Sequence, residues 1–213
     1  MVEESLGLRE RKKRQTAHRI WRTALDLFVE RGFDKVSVAE IADAADVSKM
    51  TVFNYFGTKE DVLLAPMEAH VADAADAVRG REPGESAVAA LRRQFLAKVD
   101  GRDPSIGLSD DPAVVQLLRL ISDTPALARR VMLFQMRGIA LLTDVLAEET
   151  GDRLMAGIAA HQLVSARDAV VVENHRRLLA GDRADAMAAD CAALAERAFD
   201  LVEKGLQGYP GKP

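Results

Sequence analysis

SVAEIADAADVSKMTVFNYF, residues 37–56, reads as two short helices joined by a tight turn. Ser37 and Glu40 have capping-box spacing, in which each side chain satisfies an orphaned backbone N–H of the other. Val38, Ile41, Ala42 and Ala45 then repeat as the inner face of a short helix. Asp46 and Val47 form the connection. Ser48 caps the next helix, which runs to about Tyr55 and is broken by Gly57. In that second helix Val52 and Phe56 repeat at i and i+4 and face a small core, with Phe53 at its edge. Lys49, Met50, Thr51, Asn54 and Tyr55 are left to face outward.

That division of faces suits a helix entering the major groove of duplex DNA, which is about 12 Å wide. Lys49 and Lys59 are placed to pair with phosphates. The hydroxyls of Thr51 and Tyr55 can donate to phosphate oxygens. Met50 can touch a thymine methyl, and Asn54 can pair with an adenine edge. Ser37 and Ser48 stand at helix N-termini, where a phosphate finds backbone N–H groups. Arg14 belongs to a basic run upstream: from Arg9 to Arg22 there are seven basic residues against one acid, Glu10. The whole chain carries −4, but local field rather than total charge governs phosphate attraction. Residues 1–60 sum to +1 (11 basic, 10 acidic) and the remainder to −5 (18 basic, 23 acidic).

Working outward, nearly every segment has a helical period. Ala17, Ile20, Trp21, Ala24, Leu27 and Phe28 make one apolar stripe, so a first helix spans about 10–31 and stops at Gly32. Thr58 and Asp61 repeat the cap pattern and start a fourth helix that reaches about Arg79. Pro83 and Gly84 mark a break. Further helices fit 85–99, 112–122, 125–149, 153–179 and 183–206, giving about nine in all. Thr124 before Pro125 suits a helix start. Asp100 to Pro112 is the longest expected loop. Gly138, inside a helix, marks either a kink or close packing against a neighbour. The fold class is therefore all-α.

Composition agrees: 48% of residues are apolar and only 5% aromatic, which favours helix over sheet. Cys191 stands alone, so neither an internal disulfide nor a multi-cysteine metal site is expected. Its Ala-rich surroundings mark it as a small buried residue, and a free thiol suits a reducing compartment. No run approaches the roughly 18 apolar residues of a membrane helix, and no signal peptide is evident. A cytoplasmic protein with no membrane partner is expected. His18, His70, His161 and His175 lack metal-ligand spacing, no phosphate-cradling glycine loop appears, and no carboxylate pair is set for catalysis. No enzyme, cofactor or metal is expected.

The run from Ala17 to Leu64 resembles the DNA-binding domain of the tetracycline-repressor (TetR) family. Ala24, Leu27 and Phe28 match its first helix, and Gly32 and Phe33 the break after it. Ser37, Ile41, Ala42, Val47, Ser48, Thr51, Tyr55, Phe56, Lys59 and Glu60 follow in register. Three positions depart: Phe53 stands where the family usually has Tyr, Met50 where a small residue is commoner, and Asn54 where His is common. These departures bear on which operator is read. The resemblance implies a helix-turn-helix domain over 1–57 and a helical ligand-binding and dimerisation domain over 58–213. It implies a homodimer built on the last two long helices, the second with a seam of Met187, Cys191, Leu194, Ala198, Leu201 and Val202. It also implies an effector pocket among the later helices.

Candidates for that pocket are Phe95, Leu118, Met132, Phe134, Met136, Gln162 and Ser165, because methionines suit adaptable apolar sites. The same set serves equally as ordinary core. Arg137, His161, Arg167, Asp168, Asn174 and His175 are candidate polar partners. The expected function is a repressor that binds a palindromic double-stranded operator and is released by a mostly apolar small molecule. The alternatives are an activator or dual regulator with the same DNA head, and a helical scaffold that docks on protein.

Overall fold

The structure, a computed structural model, describes residues 7–205. Among the described residues the elements are helical throughout: ten α-helices and two short 3₁₀ turns. They are α1 (Leu8–Arg31), α2 (Val38–Ala44), α3 (Lys49–Phe56), α4 (Lys59–Glu68), α5 (Asp73–Arg79), α6 (Ala87–Asp100), α7 (Pro112–Asp123), α8 (Pro125–Thr150), α9 (Arg153–Ala180) and α10 (Ala184–Lys204). The all-α expectation holds.

The chain divides into two compact units. Of the described residues, the first takes those up to Glu68 together with Gln116–Val131, and the second takes Ala69–Val115 and those from Met132 to Gly205. The division of roles read from sequence falls after Gly57, whereas packing carries the first unit through α4. The reason is apolar: Val62, Leu63 and Leu64 are fully buried. Trp21 Nε1 donates to the Leu63 carbonyl at 3.1 Å, tying α1 to α4. Ile20, Ala24, Leu25 and Phe28 of α1 face the same core as Ile41, Ala42 and Val52. Phe33 packs against Phe28, the ring centroids 4.9 Å apart and the rings tilted by 43°, and closes its end.

One expected helix, from 58 to 79, is two. It is interrupted at residues 69–72, where Asp73 N donates to the His70 carbonyl at 3.2 Å. A polar cluster takes over at the break. His70 Nδ1 lies 2.9 Å and Lys98 Nζ 2.6 Å from Asp73 Oδ2, and Gln94 Nε2 donates to the Asp73 carbonyl at 2.9 Å. Burial alone pushes the Asp73 carboxyl up, but the hydrogen bonds from Lys98 and His70 outweigh it and hold it below its usual range. Gly138 packs beside this break: a Cβ there would sit 3.1 Å from the Val71 carbonyl oxygen. Of the two readings of Gly138, close packing is the one observed, within an unbroken α8.

In the second unit α10 packs on α9 and α6. Met187, Ala188, Cys191, Ala195 and Phe199 of α10 are buried there, and Phe199 meets Phe95 edge-on at 6.2 Å. The stretch 100–112 is no free loop. It holds a 3₁₀ turn, Pro104–Ile106, and buries Ile106 and Leu108 completely. Asn174 Nδ2 anchors it by donating to the Ile106 carbonyl at 2.7 Å.

Candidate nucleic-acid interface

The first unit builds the helix-turn-helix from its caps. Ser37 Oγ accepts from Glu40 N at 3.3 Å and donates to Glu40 Oε2 at 2.8 Å, while Ser37 N donates to the same carboxylate at 2.9 Å. The capping box is therefore complete. These bonds from Ser37, aided by Arg31, hold the Glu40 carboxyl below its usual range. Arg31 Nη1 reaches Glu40 Oε1 at 3.0 Å and pins the start of α2 to the end of α1.

The turn is tight because Asp46 adopts a left-handed backbone, φ +52°. This lets Val47 N return to the Ala42 carbonyl at 3.0 Å. A short polar side chain tolerates that conformation better than most. Ser48 then caps α3, accepting from Thr51 N at 3.0 Å, with the two hydroxyls 2.8 Å apart.

On α3 the apolar anchor is Val52, 1% exposed. Lys49, Met50, Phe53 and Asn54 form the open face, and among the described residues of the first unit Met50 is the most exposed large apolar side chain, at 66%. Thr51, Tyr55 and Phe56 are half-buried along its flanks. Phe53 differs from the sequence reading. It stands in the open face, with the Lys49 ammonium 5.7 Å from its ring centroid. The signal was present in the i, i+4 spacing of Lys49 and Phe53, but an aromatic residue reads more readily as core.

Two expected phosphate partners also bond within the domain. Lys59 Nζ donates to the Phe33 carbonyl at 3.1 Å and lies 3.5 Å from the Val36 carbonyl, 4.3 Å over the Phe33 ring. It closes the turn after α1 and so braces the domain. Ser37 is likewise occupied by Glu40. Arg14 is open to solvent, 3.9 Å from Glu10. Arg9, Arg11, Lys12, Lys13 and Arg19 are exposed with it, and α1 buries no residue before Ile20.

The candidate effector residues are dispersed. Phe95 is core, 2% exposed. Leu118 is buried and belongs to the first unit, whereas Met132, Met136, Gln162 and Ser165 lie open on the surfaces of α8 and α9 in the second. Phe134 is buried. Asn174 is a buried anchor that also donates to Cys191 Sγ at 3.1 Å. His175 is half-buried, and the loss of solvation, helped by the Arg167 charge, lowers its pKa to about 4. Asp168 is raised by burial despite contacts from Arg167 at 3.0 Å and Gln135 at 3.2 Å.

The seam read on the last helix is split by the structure. Met187 and Cys191 point into the core of the second unit, whereas Leu194, Ala198, Leu201 and Val202 remain wholly or partly open. On α9, Leu154, Met155, Ile158 and Val172 are exposed. A 3.6-residue period shows that a face is apolar but not what covers it.

A three-helix core that presents a capped, outward-facing third helix, α3, is a helix-turn-helix DNA-binding domain. Residues 20–65 match the family described as bacterial regulatory proteins, tetR family. That match covers the helix-turn-helix and the helix that follows it, 46 of the 213 residues.

The chain is similar to the HTH-type transcriptional regulator TcmR of Streptomyces glaucescens, 34% identical over 122 residues, 57% of this chain and 54% of TcmR. It thus spans about half the length of that relative. It is also similar to the HTH-type transcriptional activator FasR of Mycolicibacterium smegmatis, 38% identical over 56 residues, 26% of each chain. Among solved structures, native NalD of Pseudomonas aeruginosa, a secondary repressor of the MexAB-OprM multidrug efflux pump, aligns over 87% of this chain and 97% of its own. The TM-score is 0.55 at 20% identity, a likeness of fold. The relatives by sequence are regulators by name, not enzymes.

Proposed function

We propose that the protein is a sequence-specific transcriptional regulator. It binds a palindromic operator as a homodimer, most simply to repress, and a small, mostly apolar molecule releases it. The observation that carries this reading is the open face of α3, with Lys49, Met50 and Asn54 presented on a helix that Val52 anchors from below.

In this reading Met50 and Asn54 meet base edges. Lys49, Thr51, Ser48 and Tyr55 hold phosphates beside them, and Arg14 with its basic neighbours holds phosphates on the flank. Ser37, exposed at the start of α2, and Lys59, half-buried at the start of α4, add phosphate contacts at the edge of the same surface. Two α3 helices related by a two-fold axis read two half-sites, which is why the operator is a near-palindrome. The open apolar residues of α9 and α10 supply the subunit contact. Met132, Met136, Gln162 and Ser165 are the accessible candidates for effector contact.

An activator with the same head is the second reading, favoured by the likeness to FasR, whose name is that of an activator. The sign of regulation follows from where the operator lies relative to the promoter, not from the DNA contacts. Selection of bound duplexes from a random pool tests the main reading, with the selection repeated against a panel of apolar organic compounds. A shared palindrome that disappears with one compound is the expected result. A pool that stays random after repeated rounds overturns it.

A further inference from the structure

Asp61 is a carboxylate taken almost out of water, 8% exposed, in the first turn of α4. One oxygen closes a capping box: Thr58 Oγ1 donates to Oδ2 at 2.7 Å and Thr58 N at 3.2 Å, while Asp61 N donates back to Thr58 Oγ1 at 3.2 Å. The other oxygen is gripped by Arg130, with Nη2 at 2.7 Å and Nε at 3.0 Å from Oδ1. Oδ2 also lies against the residue that ends α3, since a Cβ on Gly57 would sit 3.3 Å from it. Arg130 thus holds the chain at the point where the exposed helix stops and the next begins.

Arg130 comes from α8, 69 residues away in sequence, yet it belongs to the same compact unit as α3 and α4. The helix continues without interruption to Thr150. Met132 and Met136, both more than half exposed, follow on that same helix.

We propose that Arg130 is a positioning residue for the recognition helix: its bond to Asp61 sets the seat of α3. This rests on the DNA-binding reading above. A buried carboxylate that loses its cation must drag in water or shift, so the start of α4 and the end of α3 loosen together.

The test uses Arg130→Gln, Asp61→Asn, the double variant and Arg130→Lys in the full chain. Hydrogen exchange without DNA is the first readout. Amides of Lys49–Val62 are expected to exchange about tenfold faster in Arg130→Gln, with α9 unchanged, because local opening follows local contacts. Affinity for the selected operator is the second. Each single variant is expected to weaken it about tenfold, the double no more than the worse single, and Arg130→Lys to restore part, as coupled residues do. Affinity for a random duplex at the same salt is expected to stay within about twofold.

Unchanged exchange in Lys49–Val62 overturns the proposal. So does a fall in thermal stability with operator affinity intact, which would make the pair purely structural. A wild-type protein that selects no operator would instead overturn the DNA-binding reading, while the exchange result would still report on the bond.

Discussion

Asp46 holds the turn of the helix-turn-helix at φ +52°, a conformation that disfavours any residue with a Cβ. Asp46→Gly is expected to raise stability by about 0.5–1 kcal/mol, and Asp46→Val to lower it by about 1–2 kcal/mol. Urea titrations of the two variants check the order, and a stabilised valine variant would contradict the turn geometry. His175 gives a pH signature of its own. Burial, with Arg167 nearby, lowers its pKa from an ordinary 6.5 to about 4. Below pH 6.5 the unfolded chain takes up a proton that the folded chain refuses. Stability from this group is therefore complete above pH 6.5 and declines toward pH 4, by about 3 kcal/mol at most. Denaturation midpoints at pH 7, 5.5 and 4.5 measure the slope, and His175→Gln is expected to flatten it.

At the scale of elements, the buried 3₁₀ segment depends on Gly107. Its φ is +74°, and an added Cβ would lie 2.6 Å from His175 Cδ2 and 2.9 Å from Asn174 Cβ. Gly107→Ala therefore combines backbone strain with overpacking and is expected to lose about 2–4 kcal/mol, read by chemical denaturation. Helix α3 supports a different kind of prediction. Changing Met50 or Asn54 to Ala is expected to alter which operator positions are preferred, whereas Lys49→Ala or Tyr55→Phe weakens all duplexes alike. Competition binding against a panel of single-position operator variants separates the two patterns. Lys59→Ala, by contrast, is expected to lower thermal stability, because its ammonium closes the turn at Phe33 and Val36. The caps of α2 and α3 were legible in Ser37, Glu40 and Ser48, since capping is local chemistry with fixed spacing. The break at 69–72 was not, because the side chains that hold it, Gln94 and Lys98, come from α6, and the room for the Val71 carbonyl comes from Gly138 of α8.

For the whole molecule, a net charge of −4 coexists with an exposed basic start to α1. Replacing Arg11, Lys12, Lys13 and Arg14 with Gln is expected to flatten the dependence of log affinity on log salt by about 0.9 for each phosphate that no longer pairs with a cation. Fluorescence anisotropy over a salt series checks it, and an unchanged slope removes α1 from the interface. The exposed apolar residues on α9 and α10 lead to a mass prediction. Sedimentation should give twice the 23.2 kDa of one chain. Ile158→Asp combined with Leu201→Asp should return the protein to one chain with its helicity intact, because a charge cannot be desolvated in an apolar seam.

The amino-acid order alone determined the all-α class, most helix limits, the caps and the outward face around Met50 and Asn54. Each is set within a few residues by period, propensity and spacing. Only the tertiary structure decided that Lys59 turns to the Phe33 and Val36 carbonyls, that Met187 and Cys191 face inward, that Ile106 and Leu108 are core, and that Arg130 grips Asp61. Those outcomes depend on partners 17 to 69 residues distant, and a sequence pattern says which face of a helix is apolar without saying what comes to cover it.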